Sequence, residues 1–335
     1  KKDAEDAAAC SPGAAASGGE FRDPHGAPDV EQRVARHEIR SVVGVHNHLG
    51  AMLTSSYRLG ADDAALRTIA DGVSVGEFRQ GLRSLDDDDA LSDLVLTKEN
   101  WKEHIGGCGL YGFGSHVTYP KFVKFFARER QTLGEEACLR EYFPQLAKGP
   151  GGDFFHAVIE LGYYVEAEGP PETLDSGLAW LAAAYVEWPE NEDVAPYDSP
   201  RAAMDALMRR GFDDDDREAA PDLNDGSSGY IHAMEALIEE KSLLRKVYAY
   251  DVDVKDNCVK DMCLAAADSF YYGGANDFYT LHSVSGSRAV WAILSAVDWP
   301  LDVQRNALRA LWRTILFTHI ARRKSFNFVE EEELQ

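Results

Sequence analysis

Asp153-Phe-Phe-His-Ala-Val-Ile-Glu-Leu-Gly-Tyr-Tyr-Val-Glu-Ala-Glu-Gly169-Pro170 is the stretch that decides the fold class. Asp153 has the chemistry of an N-cap, and Gly169-Pro170 that of a helix stop. Between them the residues are apolar nearly all the way round, from Phe154 to Val165. That pattern predicts a buried helix rather than a surface one. His156 and Glu160 interrupt it at i and i+4, on one face. A carboxylate in such a place must be paired, neutralised or bound to a metal. A structural His–Glu hydrogen bond and a metal site both meet that demand.

The neighbouring stretches read the same way. Pro171 to Tyr185 is a second buried helix, rich in small residues that permit close packing. Upstream, Tyr119 to Arg130 is amphipathic with a Phe-rich face, and Gly134 to about Tyr142 is a further helix that Pro144 should end. Earlier still, Leu49, Met52, Leu53, Tyr57 and Leu59 share a helical face closed by Gly60. Another helix follows from Asp62 to about Ala70, and Thr97 is an N-cap before Trp101. Downstream come a short helix at Ala202–Arg209, two longer ones at about 229–248 and 251–270, an apolar run from Asn276 to Leu294, and a last helix from Pro300 to about Arg322. Strand signals and fixed-period repeats are nearly absent. The expectation is an all-α fold: one large multi-helix domain over 29–325 around a buried central helix, with a disordered tail at 1–28 and an acidic tail at 326–335.

Composition limits the partners. The formal charge of −23 over 335 residues argues against nucleic acid and anionic membranes. No apolar run reaches the roughly 18 residues needed to span a bilayer. Five scattered cysteines with no CxxC indicate neither a zinc knuckle nor a disulfide framework. They suggest a reducing, cytoplasmic setting, although a lost targeting segment stays open because the chain starts with Lys. Gly107-Cys-Gly-Leu-Tyr-Gly112 has the letters of a dinucleotide fingerprint, but no strand precedes it and no βαβ unit surrounds it, so a helix-breaking turn fits better.

Histidines mark the candidate chemistry. His46 and His48, His156 with Glu160, and His282 fall on three separate apolar stretches of a strongly acidic chain. Imidazole and carboxylate are the usual ligands of Fe, Zn or Mn, and helical bundles build such sites from facing side chains. His46 and His48 cannot point the same way along a helix, so one of them is the ligand candidate and the other a supporting residue. Three His and one carboxylate leave open positions on an octahedral ion, which suits Fe(II) and O2. Tyr57, Tyr163, Trp180 and Tyr279 are candidates for an aromatic pocket around a planar hydrophobic substrate, and each is equally an ordinary core aromatic. His104, His116, His25, His37, His232 and His319 are assigned to packing, turns or surface.

His46-Asn-His48-Leu followed by Tyr57-Arg-Leu-Gly-Ala61, then Phe155-His156-Ala-Val-Ile-Glu160-Leu-Gly-Tyr163, then Asp277-Phe-Tyr-Thr-Leu-His282-Ser-Val-Ser together resemble the questin oxidase-like family over about residues 40–320. The resemblance implies a largely helical oxidoreductase that oxygenates a polycyclic aromatic ketone, formally a Baeyer–Villiger-type ring opening of an anthraquinone. It also allows NADPH, for which the chain shows no nucleotide motif. Where the family usually has a second histidine in the central motif, this chain has Glu160, a change that adds negative charge and favours a harder ion. Two rivals stand beside the oxygenase. One is a metal-dependent hydrolase or hydratase that uses a bound water; the other is a non-catalytic helical binding module.

Overall fold

The computed structural model describes residues 56, 59–75, 94–106, 118–167, 169–190, 197–210, 234, 238–255, 258–272 and 277–322. The expected tails, the helix carrying His46, His48 and Tyr57, the Gly107–Gly112 turn, and His25, His37, His116 and His232 all lie outside the described residues.

Ten α-helices make up most of what is described: α1 (Asp63–Val75), α2 (Tyr119–Leu133), α3 (Glu135–Leu146), α4 (His156–Ala167), α5 (Pro171–Ala183), α6 (Pro200–Arg210), α7 (Lys241–Ala249), α8 (Cys258–Tyr272), α9 (Phe278–Ala296) and α10 (Leu301–Arg322). A 3₁₀ turn covers Trp101–His104. Among the described residues the only β pairing is an isolated parallel bridge between Tyr197 and Val252, so the fold is all-α. No described helix is long and apolar enough to cross a membrane.

The central stretch forms α4, and its two neighbours enclose it. α5 packs on one side and α9 on the other; α2 and α3 lie behind α5, while α8 and α10 lie behind α9. Small residues set these spacings. A Cβ on Gly162 would stand 2.6 Å from the Cβ of Ala289, and one on Gly177 would stand 3.1 Å from that of Leu161. The backbones of α4, α5 and α9 therefore meet almost directly. One contiguous core of buried side chains runs from Leu96 to Ala321. At its α2–α3 end, Trp101, Phe122, Phe125, Phe126 and Tyr142 form a cluster with ring centroids 5.0–6.1 Å apart. Burying each such ring contributes about 1.5–3 kcal/mol.

Two expectations are corrected. Pro144 does not end α3, which continues to Leu146. A proline two residues from the end removes a single ladder bond, and Tyr142, Phe143 and Leu146, all buried, hold the last turn. Residues 251–255 lie outside any helix. There Asp251 accepts from Arg313 Nε at 3.2 Å and Nη2 at 3.0 Å, and Val252 makes the bridge to Tyr197. Tertiary partners have displaced the local helical preference.

Candidate functional site

The residues ahead of α4 take an unusual path. Asp153, Phe154 and Phe155 all have left-handed φ, of 53°, 57° and 64°. Each L-residue held there costs roughly 1–2 kcal/mol, and Asp tolerates it better than Phe. Gly151 and Gly152 lead in against other helices: a Cβ on Gly152 would lie 1.9 Å from the Ala184 carbonyl oxygen. Phe155 then seats its ring against Gly286, where a Cβ would meet it at 2.5 Å. The expected N-cap role of Asp153 is corrected here. The helix begins three residues later, and the Asp153 carboxylate accepts a 2.9 Å hydrogen bond from the Trp180 indole N–H.

This turn delivers His156 to the α4–α9 seam, buried and with its Nδ1 2.8 Å from the Asp153 carbonyl. His282 arrives from the other side. Asp277 caps α9 by accepting from the amides of Tyr279 (3.0 Å) and Thr280 (2.8 Å), and Arg322 donates through Nε to the same carboxylate at 2.6 Å. One turn into the helix, His282 places its Nδ1 2.5 Å from the Phe278 carbonyl.

A carbonyl oxygen can only accept, so in both rings Nδ1 carries the hydrogen and Nε2 presents a lone pair. The two Nε2 atoms face each other at 3.1 Å. Two lone pairs at that distance repel unless a cation, a proton or a metal ion, lies between or beside them. Two imidazoles on one divalent ion, at bond lengths of about 2.0–2.1 Å, stand about 2.9–3.4 Å apart for angles between octahedral and tetrahedral. Holding Nδ1–H on a backbone carbonyl is also the usual way a ligating histidine is oriented.

Aromatic rings close around the pair. Trp180 stacks on His156, with centroids 5.6 Å apart and 17° between planes. Phe154 stands edge-on to His156 at 6.2 Å and tilts against Tyr279 at 5.0 Å. Phe278 lies 4.3 Å from the His282 ring while 51% exposed, so it is the ring that joins the pair to the surface. The Arg322 guanidinium covers Tyr279 at 4.6 Å.

Glu160 sits one turn after His156 and is 8% exposed, but it points to α5. Ser176 Oγ donates to its Oε1 at 3.4 Å, and the Tyr119 hydroxyl is 3.1 Å from that Ser176 oxygen. Burial pushes the Glu160 carboxyl up to about 7, with the Ser176 hydroxyl pulling the other way. Among the described residues no three His, Cys, Asp or Glu side chains gather as a metal-binding group. His156 and His282 are the two predicted ligands that come together there, and His46 and His48 lie outside the described residues.

Of the four aromatic candidates, Trp180 and Tyr279 are at the pair, Tyr163 is 39% exposed on the later part of α4, and Tyr57 lies outside the described residues. His319 is buried against Ser269, with Oγ 2.7 Å from Nδ1. Sequence reasoning missed Phe278 and Phe154. Phe278 precedes His282 by four residues on one helix, so i,i+4 spacing could have found it. Phe154 reaches His156 only through the left-handed turn, which no local pattern announces.

The sequence model of the questin oxidase-like family matches residues 45–331 of this chain. The questin oxidase of Aspergillus fumigatus is 25% identical over 307 residues, which cover 80% of this chain and 63% of that protein. The chain thus spans less than two thirds of its relative's length.

Proposed function

Because this chain belongs to the questin oxidase-like family, we propose that it is a metal-dependent oxidoreductase that oxygenates a planar, hydrophobic, polycyclic aromatic ketone, formally in Baeyer–Villiger fashion. It would use O2 and a two-electron donor such as NADPH, with one oxygen atom entering beside the carbonyl and the other leaving as water. One observation carries the metal part: two buried imidazoles present their Nε2 lone pairs to one point, 3.1 Å apart. His156 and His282 would hold the ion. Glu160 and one of His46 and His48 are the remaining candidates, Glu160 by turning from Ser176. When bound, an iron-type ion supplies Lewis acidity and the electron transfer that O2 chemistry requires.

The chain's own contribution is positional. Trp180 and the Asp153 carbonyl fix the His156 ring, and the Phe278 carbonyl fixes that of His282. Phe154, Phe278 and Tyr279 offer ring edges and faces to a planar substrate, and their apolar surface keeps water from the pair. Glu160 has a carboxyl that changes protonation near neutrality, so it can hold or release a proton one turn from the imidazoles.

That last property also favours a second chemistry, hydrolysis by a metal-held water with Glu160 as base. Protein purified without added metal should contain close to one iron per chain by elemental analysis and consume O2 when given an anthraquinone together with NADPH. His156→Ala should lose the iron and keep its helical circular dichroism. Stoichiometric zinc without O2 consumption would favour the hydrolase, and wild-type protein free of any transition metal would overturn both.

A further inference from the structure

Asp153 makes two contacts that converge on one ring. Its backbone carbonyl takes the Nδ1–H of His156 at 2.8 Å, and its carboxylate takes the indole N–H of Trp180 at 2.9 Å. Trp180 in turn lies flat against the His156 imidazole, 17° from parallel. The ring is thus held by an edge contact and a face contact, both anchored on the same residue. Asp153 is fully buried, and its left-handed φ of 53° aims carbonyl and carboxylate to these two partners at once. A buried carboxylate that served only packing would be replaceable by an apolar group of similar shape.

We infer that Asp153 is a positioning residue for His156: through Trp180 its carboxylate sets the plane of the imidazole, and through its carbonyl it holds the hydrogen on Nδ1 and so turns Nε2 to His282. The inference rests on the proposal that His156 holds a cation, but the two fail separately. Ring orientation and tautomer belong to the metal-free protein.

Three variants separate side chain from backbone. Asp153→Asn keeps an acceptor and tolerates left-handed φ. Asp153→Gly relieves the backbone and removes the acceptor. Trp180→Phe keeps a flat ring and removes the donor. Two measurements apply to each: titration with Co(II), followed by its visible absorption, and ¹⁵N NMR of histidine-labelled, metal-free protein. Asp153→Asn should stay within about 3-fold of wild type in Co(II) affinity. Asp153→Gly and Trp180→Phe should each weaken it about 10- to 100-fold. The double variant should be little worse than either single one, because both remove the same contact.

In the NMR experiment wild type and Asp153→Asn should keep a hydrogen on His156 Nδ1, with Nε2 bare or sharing a proton with His282. In the other two variants the ring, no longer held in plane, should turn away from the Asp153 carbonyl, and a form with bare Nδ1 should appear. If wild type binds no Co(II) but the tautomer pattern holds, the metal proposal falls and the positioning role stands. If Asp153→Gly leaves both the affinity and the His156 signals at wild-type values, or if the two single effects simply add, the positioning role is overturned.

Discussion

The two ends of the core are equally dry and chemically opposite. At the α2–α3 end the interior is rings: Phe122, Phe125, Phe126 and Tyr142 pack face and edge around Trp101. Its charged groups are closed into pairs, Tyr142 to Glu129 at 2.6 Å and Arg130 to the buried Asp175 by two bonds of 2.8 and 2.7 Å. Around α4 the interior contains Asp153, His156, Glu160 and His282, and the backbone entering it is left-handed for three residues. The first region follows the rules of stable packing. The second departs from them repeatedly in one place, which is how a site differs from a scaffold.

The sharpest way to test that contrast is to damage the scaffold and look at the seam. Phe126→Ala should lower unfolding stability by about 3–5 kcal/mol in a denaturant titration. The folded fraction should keep the metal content of wild type. Loss of metal from the folded protein would mean that the two regions are not separable.

A somewhat smaller effect comes from pH. In the folded chain Glu160 keeps its proton up to about 7, against an ordinary value of 4.5. The unfolded chain therefore releases that proton first as pH rises. The stability associated with the neutral carboxyl is full below about 4.5 and is lost as pH climbs through about 7, a change of about 3 kcal/mol. Denaturation midpoints measured from pH 4.5 to 7.5 should fall with pH in metal-free wild type. They should be nearly flat by comparison in Glu160→Gln, and parallel curves would show that Glu160 is ionised in the folded state. At the other end burial also pushes the Asp175 carboxyl up, but the Arg130 guanidinium pulls it back, so Asp175→Asn should change the slope less than Glu160→Gln does.

The smallest effect on stability belongs to Phe278. Its ring is half exposed, so Phe278→Ala should cost less than about 1 kcal/mol. If the ring forms part of the substrate wall, the KM for an aromatic ketone should rise several-fold with little change in kcat. An unchanged KM would remove Phe278 from that wall.

What the sequence revealed was local. Helix starts and stops such as Gly169-Pro170 and Pro171 depend on neighbours within a turn, and the helices appear where those residues put them. His156 and His282 stood out because imidazole is out of place on an apolar helix face. What stayed hidden was non-local. Asp153 has the side chain of an N-cap, yet Trp180, 27 residues on, takes its carboxylate. Glu160 shares a face with His156 but turns to Ser176 on the next helix. Pro144 looks like a terminator until the buried ring of Phe143 and its neighbours are seen to hold the turn around it. For Asp153 and Glu160 the deciding partner lies on another segment, where no window of sequence reaches it.

The bare contact of Gly162 with Ala289 has one more consequence. His156 precedes Gly162 on α4 much as His282 precedes Ala289 on α9, so the two helices run side by side in the same direction with backbones touching. Rotamer changes cannot draw such helices closer, and a single added methyl would force them apart. The gap between the imidazoles is therefore gauged by main chain against main chain, like the jaws of a caliper locked at one setting.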